Sequence, residues 1–456
     1  MTIAVEKQAR PVPIKEESII SALLSGAISA PIKPFENNWR ELGDFYYYQV
    51  RNFPVSIISH PKYAQEVLIR QRDVFQKMGK SPRGDVLALV LGDGLITNHD
   101  TDSWLSQRRM MQPMFHRKRL ASLSEKMVDG GQRMLDRWSK LSPGATVDIN
   151  DEMMLVTMDI ISQSLFSSDV MNDAGRVGSS VTEALHFAFS RRGLFTFPLS
   201  WPLPAHRRFR KAMTVIDEVV YNFIDQRQGH EHEFDDLLSM LMEARDEETG
   251  EAMSRLQLRD EVASFFGAGH ETTSHALTWT LYLLTQNPEA MKKLQDEVDT
   301  VLNGRLPTFN DLPNLPYTKM VFEEGMRLFP PVPLLPRYAM EETEIDGFRV
   351  PENTIGLISI WNIHRHPDIW EDPLAFKPER FAPELSKARH RMSFMPFGGG
   401  QRMCIGNNFA LYEGQMLLAM MVQNYQFELQ EGFEPVLDLA ITLQPKTGMP
   451  MKVYPR

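Results

Sequence analysis

Cysteine is nearly absent: Cys404 is the single one in a chain of 456 residues. That excludes an intrachain disulfide and leaves thiolate-bound zinc and iron–sulfur clusters short of ligands. It also points to a reducing compartment. An excess of basic charge is missing too. Lys and Arg number 49 against 59 Asp and Glu, a net charge of −10, so nothing argues for nucleic acid as a partner. No apolar run is long enough to span a bilayer. The most apolar early stretch, Ile19–Ile32, is broken by Ser21, Ser25, Gly26, Ser29 and Pro31, and Glu16 and Glu17 precede it where a signal peptide carries basic residues. Repeats and low-complexity tracts are also lacking. These absences leave a globular, cytoplasmic protein, expected as a monomer. Its N-terminal arm (1–40) lies on its own surface or makes at most peripheral membrane contact.

What is present is apolar and mostly helical. Hydrophobic residues make up 43% of the chain, enough for a large core; length alone suggests about three domains. No linker divides the sequence, which therefore reads as one domain over 1–456. Residues 46–51 (YYYQVR) and 53–60 (FPVSIISH) pattern as a small hairpin, and the PKYAQEVLIRQ that follows as a short helix. From about 104 to 300 the apolar spacing is helical, interrupted by a Pro- and aromatic-rich loop at 194–210 that would suit a substrate lid. The longest helix is expected over 254–286, opened by the capping-box pair Ser254 and Gln257 and stopped before Asn287–Pro288. Gly267 and Gly269 lie within it, each costing about 1 kcal/mol relative to Ala. Later, 343–350 reads as a hairpin turning at Asp346–Gly347, 407–425 as a helix, and the tail as a hairpin with its tip near Lys446–Gly448. The 27 methionines read as soft core filler.

The lone cysteine sits in 397–406, FGGGQRMCIG. Three roles compete: a small buried hydrophobe, a nucleophile with a His partner, or a metal ligand. The surroundings favour the third. Glycines let the backbone pass close under a flat ligand and free N–H groups to point at sulfur. A helix starting after Gly406 turns its positive end toward the thiolate, lowering the thiol from its usual pKa of about 8.5. Arg402 can neutralise a carboxylate on the same ligand. One axial thiolate with cations for carboxylates is what a haem requires. No activating base for a nucleophile stands nearby.

Phe397, Gly400, Arg402, Cys404 and Gly406 fit F-x-x-G-x-R-x-C-x-G, and here the chain resembles the cytochrome P-450 monooxygenases. Four further motifs agree, in family order. Glu324–Arg327 (EGMR) resembles the E-x-x-R pair, and PERF (378–381) lies between it and the cysteine. The resemblance implies that Arg380 joins Glu324 and Arg327 in a buried ion-pair cluster bracing the haem-binding loop. WLSQR resembles the W-x-x-x-R helix, making Trp104 and Arg108 donors to a haem propionate, with Arg337 and Arg402 as further propionate cations. AGHETT (268–273) resembles the oxygen-binding groove: Gly269 removes bulk where dioxygen sits, Thr272 offers its hydroxyl, and Glu271 relays protons. Gly398 counts with Phe397 and Gly406 among the residues lining the haem. The resemblance runs from Trp104 to the C-terminus. One departure is 99–102 (HDTD), which lacks the glycine often found before the tryptophan.

The resemblance implies a mainly α fold: a large helical region, a smaller β-sheet region, and a long central helix over a haem b. It implies a haem-thiolate monooxygenase that uses O2 and two electrons from a separate donor, a ferredoxin with its reductase or a flavodoxin-type protein. Arg109, Arg117, Lys118, Lys387, Arg389 and Arg391 are candidate cations for that acidic partner. Family position nominates Phe266, Gly267, Val332, Leu334, Leu335 and Met449 for the substrate pocket. None is charged, which suits a lipophilic substrate such as a fatty acid, terpenoid, steroid or carotenoid. Arg191, Arg192 or Arg207 would serve a substrate carboxylate. The competing readings are a peroxide-driven peroxygenase or hydroperoxide isomerase, and a non-catalytic haem sensor. The Glu271–Thr272 pair argues against both.

Overall fold

A computed structural model describes residues 13–16, 32–50, 53–77, 87–167, 171–190, 199–439 and 442–456. Most of Ile19–Ile32, residues 194–198 of the expected lid, and Arg191 and Arg192 lie outside them. The principal helices are α1 (Ile32–Leu42), α2 (Thr101–Met111), α3 (Arg117–Trp138), α4 (Ile149–Phe166), α5 (Met171–Ser190), α6 (Pro204–Arg227), α7 (Arg255–Gly269), α8 (Glu271–Gln286), α9 (Pro288–Leu302), α10 (Pro316–Leu328) and α11 (Asn407–Asn424). Among the described residues, no helix is long and apolar enough to cross a membrane. The chain divides into two compact units.

The first unit holds Met1–Met78, Glu324–Cys404 and Leu437–Leu439. Its centre is a mixed sheet of six strands in the order Ile14–Glu16, Phe45–Val50, Phe53–Ile58, Ile355–Ser359, Leu334–Ala339, Phe75–Gln76. The expected early hairpin is there, with Phe45 opposite Ile58 and Tyr48 opposite Val55. Strand side chains alternate faces, and here both faces are buried. Phe45, Tyr47 and Ile58 join a core with Val67, Phe75, Ile358, Met392 and Met395. Tyr46, Tyr48 and Ile57 pack on Trp39 of α1 instead. The second hairpin turns at Asp346 and Gly347 as expected, both with positive φ.

The second unit holds Gly79–Glu323, Ile405–Val436 and Ala440–Arg456. It is helical, with one antiparallel sheet of Tyr425–Leu429, Pro450–Pro455 and Ala145–Asp148. Trp138 seals that sheet against α3, edge-on to Tyr425 and Phe427. The tail is not the expected hairpin: Leu443–Pro445 lies outside the sheet that Pro450–Pro455 joins, and the chain leaves one for the other through Lys446–Gly448, where Asp148 accepts the Met449 amide at 3.0 Å.

The helix expected over 254–286 is two helices. Ser254 and Gln257 form the expected capping box, but α7 ends at Gly269 and α8 begins at Glu271, with His270 at φ −105°, ψ −50° between them. Side-chain hydroxyls compete for the carbonyls at that point. Thr272 Oγ1 donates to Ala268 O at 2.9 Å and Thr157 Oγ1, from α4, to His270 O at 3.0 Å. Propensity reasoning on the glycines alone does not find this break.

Candidate active site

The thiol is carried by a loop of the first unit. Cys404 N donates to Phe397 O at 3.0 Å, and Gly398 N to Met395 O at 3.0 Å, closing the loop at both ends. Gly400 sits at φ +70°, and a Cβ there would stand 2.2 Å from the Leu68 carbonyl oxygen. No side chain fits that approach. The result presents Cys404 exposed, beside Met403 at 40% exposure.

Two guanidinium groups accompany the thiol. Arg337, on strand Leu334–Ala339, is only 9% exposed and donates to Pro336 O at 2.8 Å. Burial, and then the like charge of Arg402, pushes its pKa down to about 10; burial does the same to Arg402, to about 10. Among the described residues no carboxylate pairs with Arg337. Buried cations call for anions, so a ligand that brings carboxylates relieves this cost. One presented thiol, glycine backbone, the buried Arg337 and the half-buried Arg402 together fit a porphyrin that carries iron and carboxylates.

Glu324 and Arg327, at the end of α10, brace this loop. Both are fully buried, with Arg327 Nε and Nη2 donating to the Glu324 oxygens at 2.6 and 2.8 Å. Arg327 also donates to the carbonyls of His364, Pro373 and Ala375. Arg380 joins as the sequence suggests, its Nε 3.4 Å from Glu324, an ion pair rather than a good hydrogen bond. The connection to the thiol loop runs through His364, which the motifs do not include. Its Nε2 accepts the Met395 amide at 2.9 Å, so Nδ1 carries the proton and faces Arg327 O at 3.2 Å. Burial, with Arg327 and Arg365 nearby, holds this ring neutral with a pKa of about 3. Met395 O in turn holds Gly398.

The acid–alcohol pair belongs to the second unit. Glu271 is 1% exposed; Oε1 accepts the Thr442 hydroxyl at 2.8 Å, and Oε2 has no hydrogen-bond partner among the described residues. Burial raises its pKa. Thr442 has given its proton to Glu271, so His275 Nδ1, 2.8 Å from Thr442 Oγ1, must donate to it. Thr272 is half-buried, its hydroxyl proton turned back to Ala268 O.

Several expectations need correction. The indole N–H of Trp104 donates to Leu95 O at 3.0 Å, so it is committed within the chain. Arg108 is half-buried with Nε on Gln112 at 3.0 Å. At Gly269 the absent side chain makes room for Ile161 of α4, 2.8 Å from where a Cβ would stand. Phe266 and Met449 are completely buried core residues with no open face, Phe266 packing on Phe166 at 5.5 Å. Gly267 borders Leu91, Val181 and Leu185, an apolar neighbourhood, while Val332, Leu334 and Leu335 are half-buried. Gly406 stands 3.8 Å from the Phe115 ring edge by its ideal Cβ. Of the six candidate docking cations, Arg109 is paired with Asp246 and Glu248, and Arg389 lies over Trp370 and Phe381. Arg117, Lys118, Lys387 and Arg391 are exposed.

Two buried acids also escape motif reading. Glu261 accepts the Leu95 amide at 2.9 Å, and burial pushes its pKa up to about 8. Glu413, fully buried on α11, is raised well above the carboxyl range by burial, with Thr273 opposing. A lone acid inside the apolar run around Glu413 is the signal that sequence offers. Asp44, His60 and His366 cluster within 4.8 Å, but this is no metal centre. Both rings accept backbone amides at Nδ1, from Lys62 and Asp368, so each neutral ring keeps its proton on Nε2. That of His366 goes to Asp44 at 3.1 Å.

The comparisons agree with this geometry. The cytochrome P450 family model matches residues 19–451. Cyclooctatin synthase of Streptomyces melanosporofaciens is 35% identical over 90% of this chain and 88% of its own length. Cyclooctat-9-en-7-ol 5-monooxygenase of the same organism is 32% identical over 82% and 80%. The crystal structure of the cytochrome P450DA heme domain superposes with a TM-score of 0.90 at 25% identity, covering 98% of both chains. With its thiol loop, buried arginines and acid–alcohol helix start on one sequence, the chain belongs to the cytochrome P450 family of haem-thiolate monooxygenases.

Proposed function

We propose that the chain, read as one catalytic domain over 1–456, hydroxylates a lipophilic substrate, using haem b held by Cys404. Arg337, Arg402 and Arg108 are the residues to hold its carboxylates. When bound, this cofactor supplies reductive activation of dioxygen, so that R–H, O2, two electrons and two protons give R–OH and water. The chain's own work is to hold the cofactor, exclude water and deliver the protons. The observation that carries this reading is the buried, raised-pKa Glu271 with an unpartnered oxygen, directly before Thr272. A carboxyl so placed takes up and gives up a proton without first breaking a hydrogen bond at that oxygen. A peroxide-using enzyme or a gas sensor has no need of it.

Electrons come from a separate ferredoxin- or flavodoxin-type protein, and Arg117, Lys118, Lys387 and Arg391 are the exposed cations left to meet it. A relative's name, cyclooctat-9-en-7-ol 5-monooxygenase, describes oxygen insertion at one carbon of a largely hydrocarbon alkenol. This favours a hydrocarbon-rich terpenoid over a fatty acid. Arg207, the described candidate for a substrate carboxylate, is exposed. A cytoplasmic monomer remains our reading of its state. The test is Thr272→Ala: reductant consumption continues while product per reductant falls severalfold. Unchanged coupling contradicts the assignment.

A further inference from the structure

We propose that Arg259 of α7 is a latch that makes α6 and residues 90–95 release α7 together, and that it thereby sets how fast a substrate reaches the apolar neighbourhood of Gly267. The entry part rests on the lipophilic-substrate reading above; the latch itself does not.

Residues 90–95 are held on α7 by their backbone. Asp93 N donates to Asp260 Oδ2 and Leu95 N to Glu261 Oε2, both at 2.9 Å. Val90 O accepts Arg259 Nη1 at 2.8 Å. The approach leaves no room for side chains. A Cβ at Gly92 would stand 2.1 Å from Asp260 Oδ2, and one at Gly94 2.2 Å from Ser264 Oγ. Three successive side chains of one helix thus grip one short segment.

Arg259 extends this grip to a second element. Its Nε donates to Asp217 of α6 at 2.7 Å, while Nη1 also reaches Asp260 Oδ1 at 3.0 Å. The guanidinium is buried and Asp217 half-buried, so these two carboxylates balance a charge that water does not reach. Burial raises the Asp260 pKa, and the Asp93 amide and Arg259 oppose it. The cation therefore helps keep Asp260 ionised, the stronger acceptor for Asp93 N. When Asp217 withdraws with α6, the guanidinium follows it out or stays buried with half its countercharge, a costly state. Either way the hold on Val90 and Asp93 weakens.

Val90 precedes Leu91, and here the latch meets the candidate pocket. Leu91 Cδ2 lies 3.5 Å from where a Cβ on Gly267 would stand, with Leu185 Cδ1 at 3.5 Å and Val181 Cγ1 at 3.8 Å, both from α5. A molecule coming to rest beside Gly267 must part these side chains. The bond from Arg259 to Val90 O resists that parting at Leu91. Arg259 touches no reacting atom and is a positioning residue.

The test compares the substrate-free holoenzyme with Asp217→Ala, Gly94→Ala and Arg259→Met by hydrogen exchange and mass spectrometry. Asp217→Ala removes none of the three bonds to 90–95. Exchange in peptides spanning 90–98 should nevertheless quicken about tenfold, the effect of losing one charge-assisted hydrogen bond. Coupling is reciprocal, so Gly94→Ala, which lifts the segment from Ser264, should quicken exchange in α6 around Asp217. In an Arg259→Met background, Asp217→Ala should add nothing at 90–98. Stopped-flow mixing with farnesol, a hydrocarbon-rich terpenoid alcohol, then reads entry from the haem spin shift. Asp217→Ala should raise the binding and release rate constants together, severalfold, leaving Kd within about twofold. Unchanged exchange at 90–98 in Asp217→Ala, or a full additional effect in the Arg259→Met background, overturns the latch. Quickened exchange with unmoved entry rates overturns its role in entry. A native enzyme whose spin state farnesol does not shift contradicts the terpenoid reading instead, and exchange alone then decides the latch.

Discussion

His364 Nε2 accepts the Met395 amide at 2.9 Å while its Nδ1 faces the Arg327 carbonyl at 3.2 Å. One imidazole thereby ties the buried Glu324–Arg327 pair to the segment that carries the thiol. Replacing it with Ala leaves a buried N–H and a buried carbonyl unpaired, at about 1–3 kcal/mol each. We expect His364→Ala to lower the melting temperature and to release haem faster, both read from thermal scans and transfer to an apo-globin. Unchanged haem release would show that His364 serves packing alone.

Arg337 gives a prediction of opposite signs. Burial, and then the like charge of Arg402, lowers its pKa to about 10, so keeping it charged costs the apoprotein about 3 kcal/mol. Arg337→Leu should stabilise the apoprotein in thermal unfolding while weakening haem binding at least about tenfold. A variant that loses both stabilities refutes the anion-site reading.

Gly400→Ala brings a Cβ to 2.2 Å from Leu68 O at a backbone φ of +70°. The loop must move, since a backbone carbonyl cannot yield as a side chain would. The expected outcome is loss of haem during purification with the far-UV circular dichroism intact. Gly406→Ala, with 3.8 Å to Phe115, should be far milder.

Acid stability follows from the buried histidines. His270, His275 and His364 fall from 6.5 to about 4, 3 and 3 in the fold. The unfolded chain binds more protons in that range, so their contribution is complete above pH 6.5 and is lost as pH falls toward 3. The combined slope is at most about 4 kcal/mol per pH unit. Glu261 acts in the other direction, with its pKa raised from 4.5 to about 8. The folded state keeps that proton longer, so stability drops as pH rises from 4.5 through 8. Glu261→Gln keeps an acceptor for Leu95 and should gain on the native protein by about 1.4 kcal/mol per pH unit over that window. Denaturant midpoints measured at pH 5 and pH 8 check it.

Local signals in the sequence carried much of this. Ser254 and Gln257 are three apart and form the box that spacing implies, and Asp346–Gly347 makes the turn its dipeptide calls for. Glu324 and Arg327 share a helical face and do pair. The misses are tertiary. The break at His270 depends on Thr157, over a hundred residues away, and Trp104 finds Leu95 O through the fold of 87–98. His364 lies 40 residues before the cysteine, in a stretch with no periodicity to mark it. The AGHETT resemblance singled out Gly269, and its packing against Ile161 of α4 is a tertiary contact that no local pattern marks.

The most direct measurement is the absorption spectrum of the haem-loaded, dithionite-reduced protein under carbon monoxide, with Cys404→Ser beside it. Thiolate coordination by Cys404 gives the red-shifted Soret band in the native chain and its loss in the variant. A native protein that takes up haem without that band, or a serine variant that keeps it, contradicts the account.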